Sequence, residues 1–183
     1  MGRTEERKNL KKLLQGKREA YEAVICQNYR AIYRFMAYLT GDTNLAEELT
    51  QETFTSAWDN IECFKGRASV GTWLHQIAYR KFIDSTRRLQ RNAALMAKLK
   101  EEKDVVPESS NPLHLIIADE HSRLLYEAMR RLNLSEYSVI VLHYIQGLSF
   151  RQVAQVLDMP VGTVKWQTNQ ALKRLKVYLT DRV

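Results

Sequence analysis

The segment 149–179, SFRQVAQVLDMPVGTVKWQTNQALKRLKVYL, leaves the chain little freedom. Ser149 is an N-cap residue ahead of an apolar-periodic run that ends at Leu157. Only Asp158, Met159 and Pro160 separate that run from a second, longer one over 161–179. Two helices joined by so short a turn form a helix-turn-helix. In the second helix Val164, Thr168, Ala171, Leu172, Leu175 and Leu179 are predicted to face the core. Gly162, Trp166, Asn169, Gln170 and Lys173 point outward, flanked by Thr163, Lys165 and Gln167. Amide side chains can read base edges in the major groove, and Arg151, Lys165, Lys173 and Arg174 suit phosphates. A polar helix face can equally be only a solvated one.

A second informative stretch is 63–91, CFKGRASVGTWLHQIAYRKFIDSTRRLQR. Gly66 and Gly71 let a tight loop present Lys65, Arg67 and Ser69 beside Phe64. Thr72 is the expected N-cap of the helix that follows. Leu74, Ala78, Phe82 and Leu89 share one face of it, and Trp73, Arg80, Asp84, Arg87 and Arg91 lie roughly opposite. Rings that stack on bases, beside cations that hold a phosphate backbone, are what unpaired strands require. The other reading makes Phe64 and Trp73 core residues and the arginines a solvated face.

Around these two stretches the pattern stays helical. Residues 17–39 carry Tyr21, Val24, Ile25, Ile32, Phe35, Met36 and Leu39 at helical spacing, with Gly41 as the stop. Asn44 and Glu47 resemble a capping box opening a helix to about Ile61, with Ala46, Phe54, Ala57 and Ile61 buried. Leu45 and Leu49 fall away from that side, among Glu48, Glu52 and Asp59. Such an apolar strip ringed by acids fits a positively charged protein partner, or else a solvated acidic face with two stray leucines.

The sequence LKEEKDVVPESSNP over 99–112 reads as a linker, interrupted by Pro107 and Pro112. Beyond it Leu124, Leu125, Ala128 and Leu132 form one stripe. The β-branched run SVIVLHYI could be a strand, but Ser135 as cap and Gly147 as stop favour a helix. The expected architecture is all-α: two small helical domains joined by a flexible linker, the second containing the helix-turn-helix. The divisions are 1–96, the linker 97–113, and 114–183.

Charge is distributed in blocks. The net charge is +7, which suits a polyanionic partner or simply solubility. Residues 42–62 hold six acids and no base, whereas 63–103 hold ten bases against three acids. Separate surfaces for separate partners would be charged this way. Cys26 and Cys63 lack metal or redox spacing and suit a reducing cytoplasm. The N-terminal MGRTEERKNLKK lacks a signal-peptide core, its basic part 7–12 reads as a solvated arm, and position 6 is Glu6 where a myristoylation pattern needs Ser or Thr. No stretch approaches the roughly 20 apolar residues of a membrane span.

Enzymatic signatures are weak. Gly16-Lys17 lacks the partner glycine of a phosphate loop, and no GxSxG elbow occurs. His75, His114, His121 and His143 lie in different segments without ligand spacing, and Glu47, Glu48 and Glu52 have no His or Asp to complete a metal site.

Taken together, the runs AEELTQETFTSAW, FKGRASVGTWLHQIAYRKFIDSTRR and LSFRQVAQVLDMPVGTVKWQTNQALKRL resemble the extracytoplasmic-function (group four) sigma factors of bacterial RNA polymerase. The resemblance covers nearly the whole chain. It implies a non-enzymatic, cofactor-free cytoplasmic protein that partners core RNA polymerase, promoter DNA as duplex and opened strand, and an anti-sigma factor. It assigns Leu45, Glu48, Leu49, Gln51 and Glu52 to the clamp helices of the largest polymerase subunit. Phe64, Lys65, Arg67, Ser69, Trp73, Arg80, Arg87, Arg88 and Arg91 fall to the minus-ten element. Arg151, Thr163, Lys165, Trp166, Gln167, Asn169, Gln170, Lys173 and Arg174 fall to the minus-thirty-five element. The linker would run toward the RNA exit path.

Two departures stand out. Arg80 replaces the family's usual Asn, favouring phosphate or guanine over adenine. Trp166 and Gln167 stand where a small residue and an Arg are usual. Trp166 would then pack on thymine methyls or sugars, dock an inhibitor, or fold back on the first domain. The competing readings are a helix-turn-helix regulator that acts without polymerase and a metal-dependent nucleic-acid enzyme.

Overall fold

The computed structural model describes residues 18–99 and 120–180, all of whose regular elements are helical. The expected basic arm, nearly all of the linker and the start of the second domain, 114–119, lie outside the described residues. Helix α1 (Arg18–Thr40) ends where Gly41 adopts a left-handed φ of 66° and returns its N–H to the Ala37 carbonyl at 3.0 Å. Glycine takes that conformation without a Cβ clash, so the helix stops where the sequence predicts.

Helix α2 (Thr43–Asp59) begins at once, capped by Asp42, whose carboxylate accepts from the Asn44 and Leu45 N–H groups. Asp42 therefore displaces the expected Asn44–Glu47 box. It already sits in extended backbone beside Gly41, ready to cap. A 3-10 turn (Ile61–Cys63) leads to the loop before α3 (Val70–Leu99). Ser69, not Thr72, caps α3: its hydroxyl accepts from the Thr72 N–H at 3.1 Å. The helix runs to Leu99, three residues into the segment expected to be linker.

The second half holds α4 (Glu120–Met129) and α5 (Leu134–Ile140), which continues as a π turn over Val141–Ile145. Asn133 rather than Ser135 caps α5 through the Glu136 N–H at 2.9 Å. The β-branched run is helical because tertiary burial overrides propensity: Val139, Ile140, Val141 and Leu142 are all buried, and a helix apolar all round belongs inside. Gly147, with φ of 72°, stops it. Helix α6 (Phe150–Leu157) carries the complete Ser149–Gln152 capping box, Asp158 turns the chain with φ of 53°, and α7 (Val161–Thr180) follows.

One apolar cluster runs through both halves. Ile32, Phe35 and Met36 of α1 meet Ala46 and Leu49 of α2 and Leu74 and Ala78 of α3, and the same cluster continues into Val139, Leu142, Val153 and Val164. Three expected core positions are instead exposed: Leu89, Leu125 and Leu172. On α3 the buried stripe ends at Ser85, beyond which Leu89 stands in solvent; on α7 the stripe is Val164, Thr168, Ala171 and Leu175, which leaves Leu172 to one side.

Leu49 is corrected in the other direction. It is 1% exposed and shares a stripe with Ala46, Thr50, Thr53 and Ala57, so it belongs to the core and cannot touch a partner. Leu49→Ala will lower unfolding stability by about 2–5 kcal/mol, measured by urea denaturation, because it leaves a cavity. A surface leucine would lose less than about 0.5 kcal/mol.

His75, 4% exposed, lies beside Phe35 with 5.2 Å between ring centroids. Its Nδ1 donates to the Gly71 carbonyl at 2.7 Å. Burial holds its pKa below the ordinary imidazole value, despite that bond. The neutral form is therefore the folded form. Its contribution is present above about pH 6.5, the unfolded value, and is lost as pH falls below it. The acid-side loss of stability will be shallower in His75→Gln, compared by denaturation between pH 5 and 7.5.

Candidate nucleic-acid and polymerase interfaces

Helix α2 presents an open acidic groove. Glu48, Gln51, Glu52, Thr55, Ser56 and Asp59 line it on one side, and Lys81 of α3 closes the other. Leu45, on the same helix, is half-buried, and Leu49 is buried. Lys81 approaches Glu52 at 3.7 Å and Arg88 approaches Glu48 at 3.9 Å. Both pairs are solvated, and such pairs contribute at most about 1 kcal/mol, so a cationic partner can replace these bases.

The loop after α2 is arranged differently from the expectation. Lys65 and Arg67 are exposed around Gly66, whose φ is 67°. Phe64 is only 5% exposed and packs against Trp73 at 4.9 Å between ring centroids. The 3-10 turn folds Phe64 back, its N–H donating to the Ile61 carbonyl at 3.1 Å. Trp73 is half-buried beside Tyr21 and Ile61. Neither ring is offered to solvent as a platform. Ser69 is spent on the helix cap and on the Thr72 hydroxyl at 2.8 Å. Arg80, Arg87, Arg88 and Arg91 are exposed along α3, with Arg87 3.8 Å from Asp84.

On the helix-turn-helix, Arg151, Thr163, Lys165, Asn169 and Lys173 are exposed, Gln170 is half-buried, and Trp166 is 60% exposed. Two expected readers are already engaged within the protein. Gln167 Oε1 accepts from the Ser135 hydroxyl at 2.8 Å. Arg174 donates to Glu136 at 3.0 Å, and the Glu136 carboxylate is almost wholly buried. Ser135 and Glu136 therefore hold α7 against α5 at two points. One signal was available, since Glu136 is an acid standing three residues ahead of the apolar run that begins at Val139.

Other polar groups with no assigned role gather where the halves meet. Gln152 Nε2 donates to Thr72 Oγ1 at 3.2 Å, and Gln76 Nε2 donates to the Gln155 carbonyl at 3.2 Å. Among the described residues no group of three or more His, Cys, Asp or Glu could hold a metal ion, and no helix is long and apolar enough to cross a membrane. Cys26 and Cys63 are free thiols on the surface.

An acidic groove, a basic loop and helix, and a helix-turn-helix on an all-helical frame define a class of transcription factor. The Sigma-70 region 2 family matches residues 24–92, and the Sigma-70 region 4 family matches residues 122–175. The chain is similar to the ECF RNA polymerase sigma factor SigW of Bacillus subtilis, 28% identical over 181 residues, covering 96% of this chain and 97% of SigW. It is 30% identical to the ECF RNA polymerase sigma factor SigC of Mycobacterium tuberculosis over 163 residues, covering 86% of this chain and 82% of SigC. The sigma factor RpoE, solved with the anti-sigma factor NepR from Bartonella quintana, has the same fold with a TM-score of 0.69 and 22% identity, covering 87% of this chain and 96% of RpoE. The chain belongs to the ECF sigma factors of RNA polymerase, which direct the polymerase to promoters. Nothing in these comparisons favours a regulator that acts without polymerase.

Arg174→Ala leaves the Glu136 carboxylate buried without its cation and will lower stability by about 1–3 kcal/mol in urea denaturation. Lys173→Ala, one residue away and exposed, will leave stability within about 0.5 kcal/mol of the parent.

Proposed function

We propose that the chain divides its promoter work among three surfaces. The α2 groove docks the clamp helices of the polymerase largest subunit through Leu45, Glu48, Gln51 and Glu52, with Leu49 supporting them from within. Lys65 and Arg67 on the loop, with Arg80, Arg87, Arg88 and Arg91 on α3, hold the opened minus-ten strand. Phe64 and Trp73 must turn outward to stack on its bases, and Ser69 fixes the start of α3. Residues of α7 read the minus-thirty-five duplex: Asn169, Gln170 and Thr163 at base edges, and Lys165, Lys173 and Arg151 on phosphates. Gln167 and Arg174 act chiefly by holding that helix in place.

The domain limits 1–96 and 114–183, with a linker between, complete this reading. The observation that carries it is the separation of sign: an acidic groove on α2 and exposed cations on the next loop and helix. A surface for polyanions gains nothing from such acids, and opposite charge steers each partner to its own face. The RpoE–NepR pair supports an anti-sigma partner here as well. The exposed Trp166 serves either the minus-thirty-five site, against thymine methyls or sugars, or that inhibitor.

The polymerase performs the chemistry. Capturing unstacked bases, at about 1–3 kcal/mol per base, drives the opening. Run-off transcription of genomic fragments with purified core polymerase tests the whole reading by recovering the promoters. On such a promoter, Lys65→Ala with Arg67→Ala will abolish open-complex formation, seen as loss of permanganate-reactive thymines, while polymerase affinity is unchanged. Trp166→Ser will weaken promoter or inhibitor binding, measured separately. No change in either removes Trp166 from both roles.

A further inference from the structure

Helix α7 carries one large aromatic side chain on a surface otherwise given to charge and amides. Trp166 is 60% exposed. The positions of α7 that share its face at helical spacing, three, four and seven residues away, are Gly162, Thr163, Asn169, Gln170 and Lys173. None of them is a large apolar residue. From Val161 to Thr180 the helix has three lysines, one arginine and no acid. Protein docking sites set their aromatic anchors in desolvated pockets, surrounded by packed contacts that keep water out. A solitary indole among amides and lysines has no such surround, and the charge about it suits a polyanion.

Two local features give the indole room and a fixed bearing. A helical side chain covers the turn on the N-terminal side of its own Cα, which for Trp166 is the turn holding Gly162. A Cβ placed on Gly162 would meet nothing within 4 Å, so the start of α7 ahead of the indole is bare and open to another molecule. Gln167, the next residue, accepts from Ser135 at 2.8 Å, and Arg174 donates to Glu136 at 3.0 Å. With those two held against α5, rolling of α7 is opposed. Trp166 then stands about 100° round the helix from Gln167, on a face turned away from that hold.

The major groove offers such a ring one kind of apolar partner. Base edges there present hydrogen-bond donors and acceptors, and of the four bases only thymine adds a methyl group. We propose that Trp166 is a specificity-determining residue, packing its indole on a thymine 5-methyl in the minus-thirty-five element. The proposal rests on α7 being the minus-thirty-five helix, and it commits the indole to DNA rather than to an inhibitor. On that reading Asn169 and Gln170 take hydrogen bonds at neighbouring base edges and Lys165 and Lys173 hold phosphates. Trp166 adds a contact that reads a methyl and makes no hydrogen bond.

The test removes the methyl and nothing else. Deoxyuridine pairs as thymine does and keeps the same acceptor in the groove. In a promoter recovered by run-off transcription, each thymine of the minus-thirty-five element, on either strand, is replaced in turn by deoxyuridine. Holoenzyme assembled from the full chain and core polymerase is titrated on each fragment, with a scrambled minus-thirty-five element as the reference for specificity.

At one thymine the parent is expected to bind the uracil fragment about fourfold more weakly, as the loss of one buried methyl requires. Trp166→Ala is expected to bind the thymine and uracil fragments equally at that position, with its polymerase affinity unchanged. Lys173→Ala removes a phosphate contact, so it is expected to weaken both fragments alike and keep the fourfold ratio. If the parent prefers thymine at no position while still preferring the intact element to the scrambled one, the methyl contact is overturned and Trp166 is left to a protein partner. A thymine preference that survives in Trp166→Ala overturns it as well. If the parent does not distinguish the intact from the scrambled element, the reading of α7 itself fails, and the methyl contact with it.

Discussion

A thirty-residue helix gripped on two faces sets the form of this protein. Leu74, Ala78 and Phe82 recur every fourth residue of α3, which brings them onto one line against Phe35, Met36 and Ala46. That line fixes the direction of α3, and with it the arginines that follow. It also fixes which side of α2 turns inward, since Leu49 and Phe54 must fill the same layer. The acidic groove exists because its inner wall is committed to this packing.

Electrostatics then operates on a frame already determined by apolar contact. The ion pairs between α2 and α3 are solvated and weak, and they lend the groove little rigidity. The pair between Arg174 and Glu136 is of another kind, because one member is almost wholly withdrawn from water. A buried carboxylate demands a cation, so Arg174 is held at a fixed place along α7. Ser135 adds a second hold at Gln167, about two turns away. The recognition helix is thus registered against α5 by polar groups, which are directional, while Val164, Ala171 and Leu175 supply non-directional adhesion.

Much of this was legible in the residues. Gly41, Gly147 and Ser149 end or begin helices where they stand because their local chemistry is sufficient to do so. The helix-turn-helix follows from the shortness of the Asp158–Pro160 turn. What the residues left open was orientation. Leu49 could be drawn on either side of α2, and only contact with α1 and α3 decides that it is inside. Phe64 and Trp73 carry rings equally suited to a core or to a nucleobase, and here they cover each other. Gln167 reads as an exposed amide until Ser135, thirty-two residues earlier, is found within hydrogen-bond distance. The polar contacts of Thr72 and Gln76 with α6 were invisible for a plainer reason: threonine and glutamine carry no apolar periodicity, so nothing in the pattern marks them as packed.

The hydrogen bonds where the two halves meet join neutral groups, hydroxyls, amides and backbone carbonyls. The groove on α2 and the cations of α3 act through charges in open solvent. Dissolved ions screen such fields beyond about 8 Å at physiological strength, and over shorter distances as salt rises, but they act little on contacts between neutral groups. Rising salt therefore weakens the charged surfaces of α2 and α3 more than it weakens the hold of one half of the chain on the other.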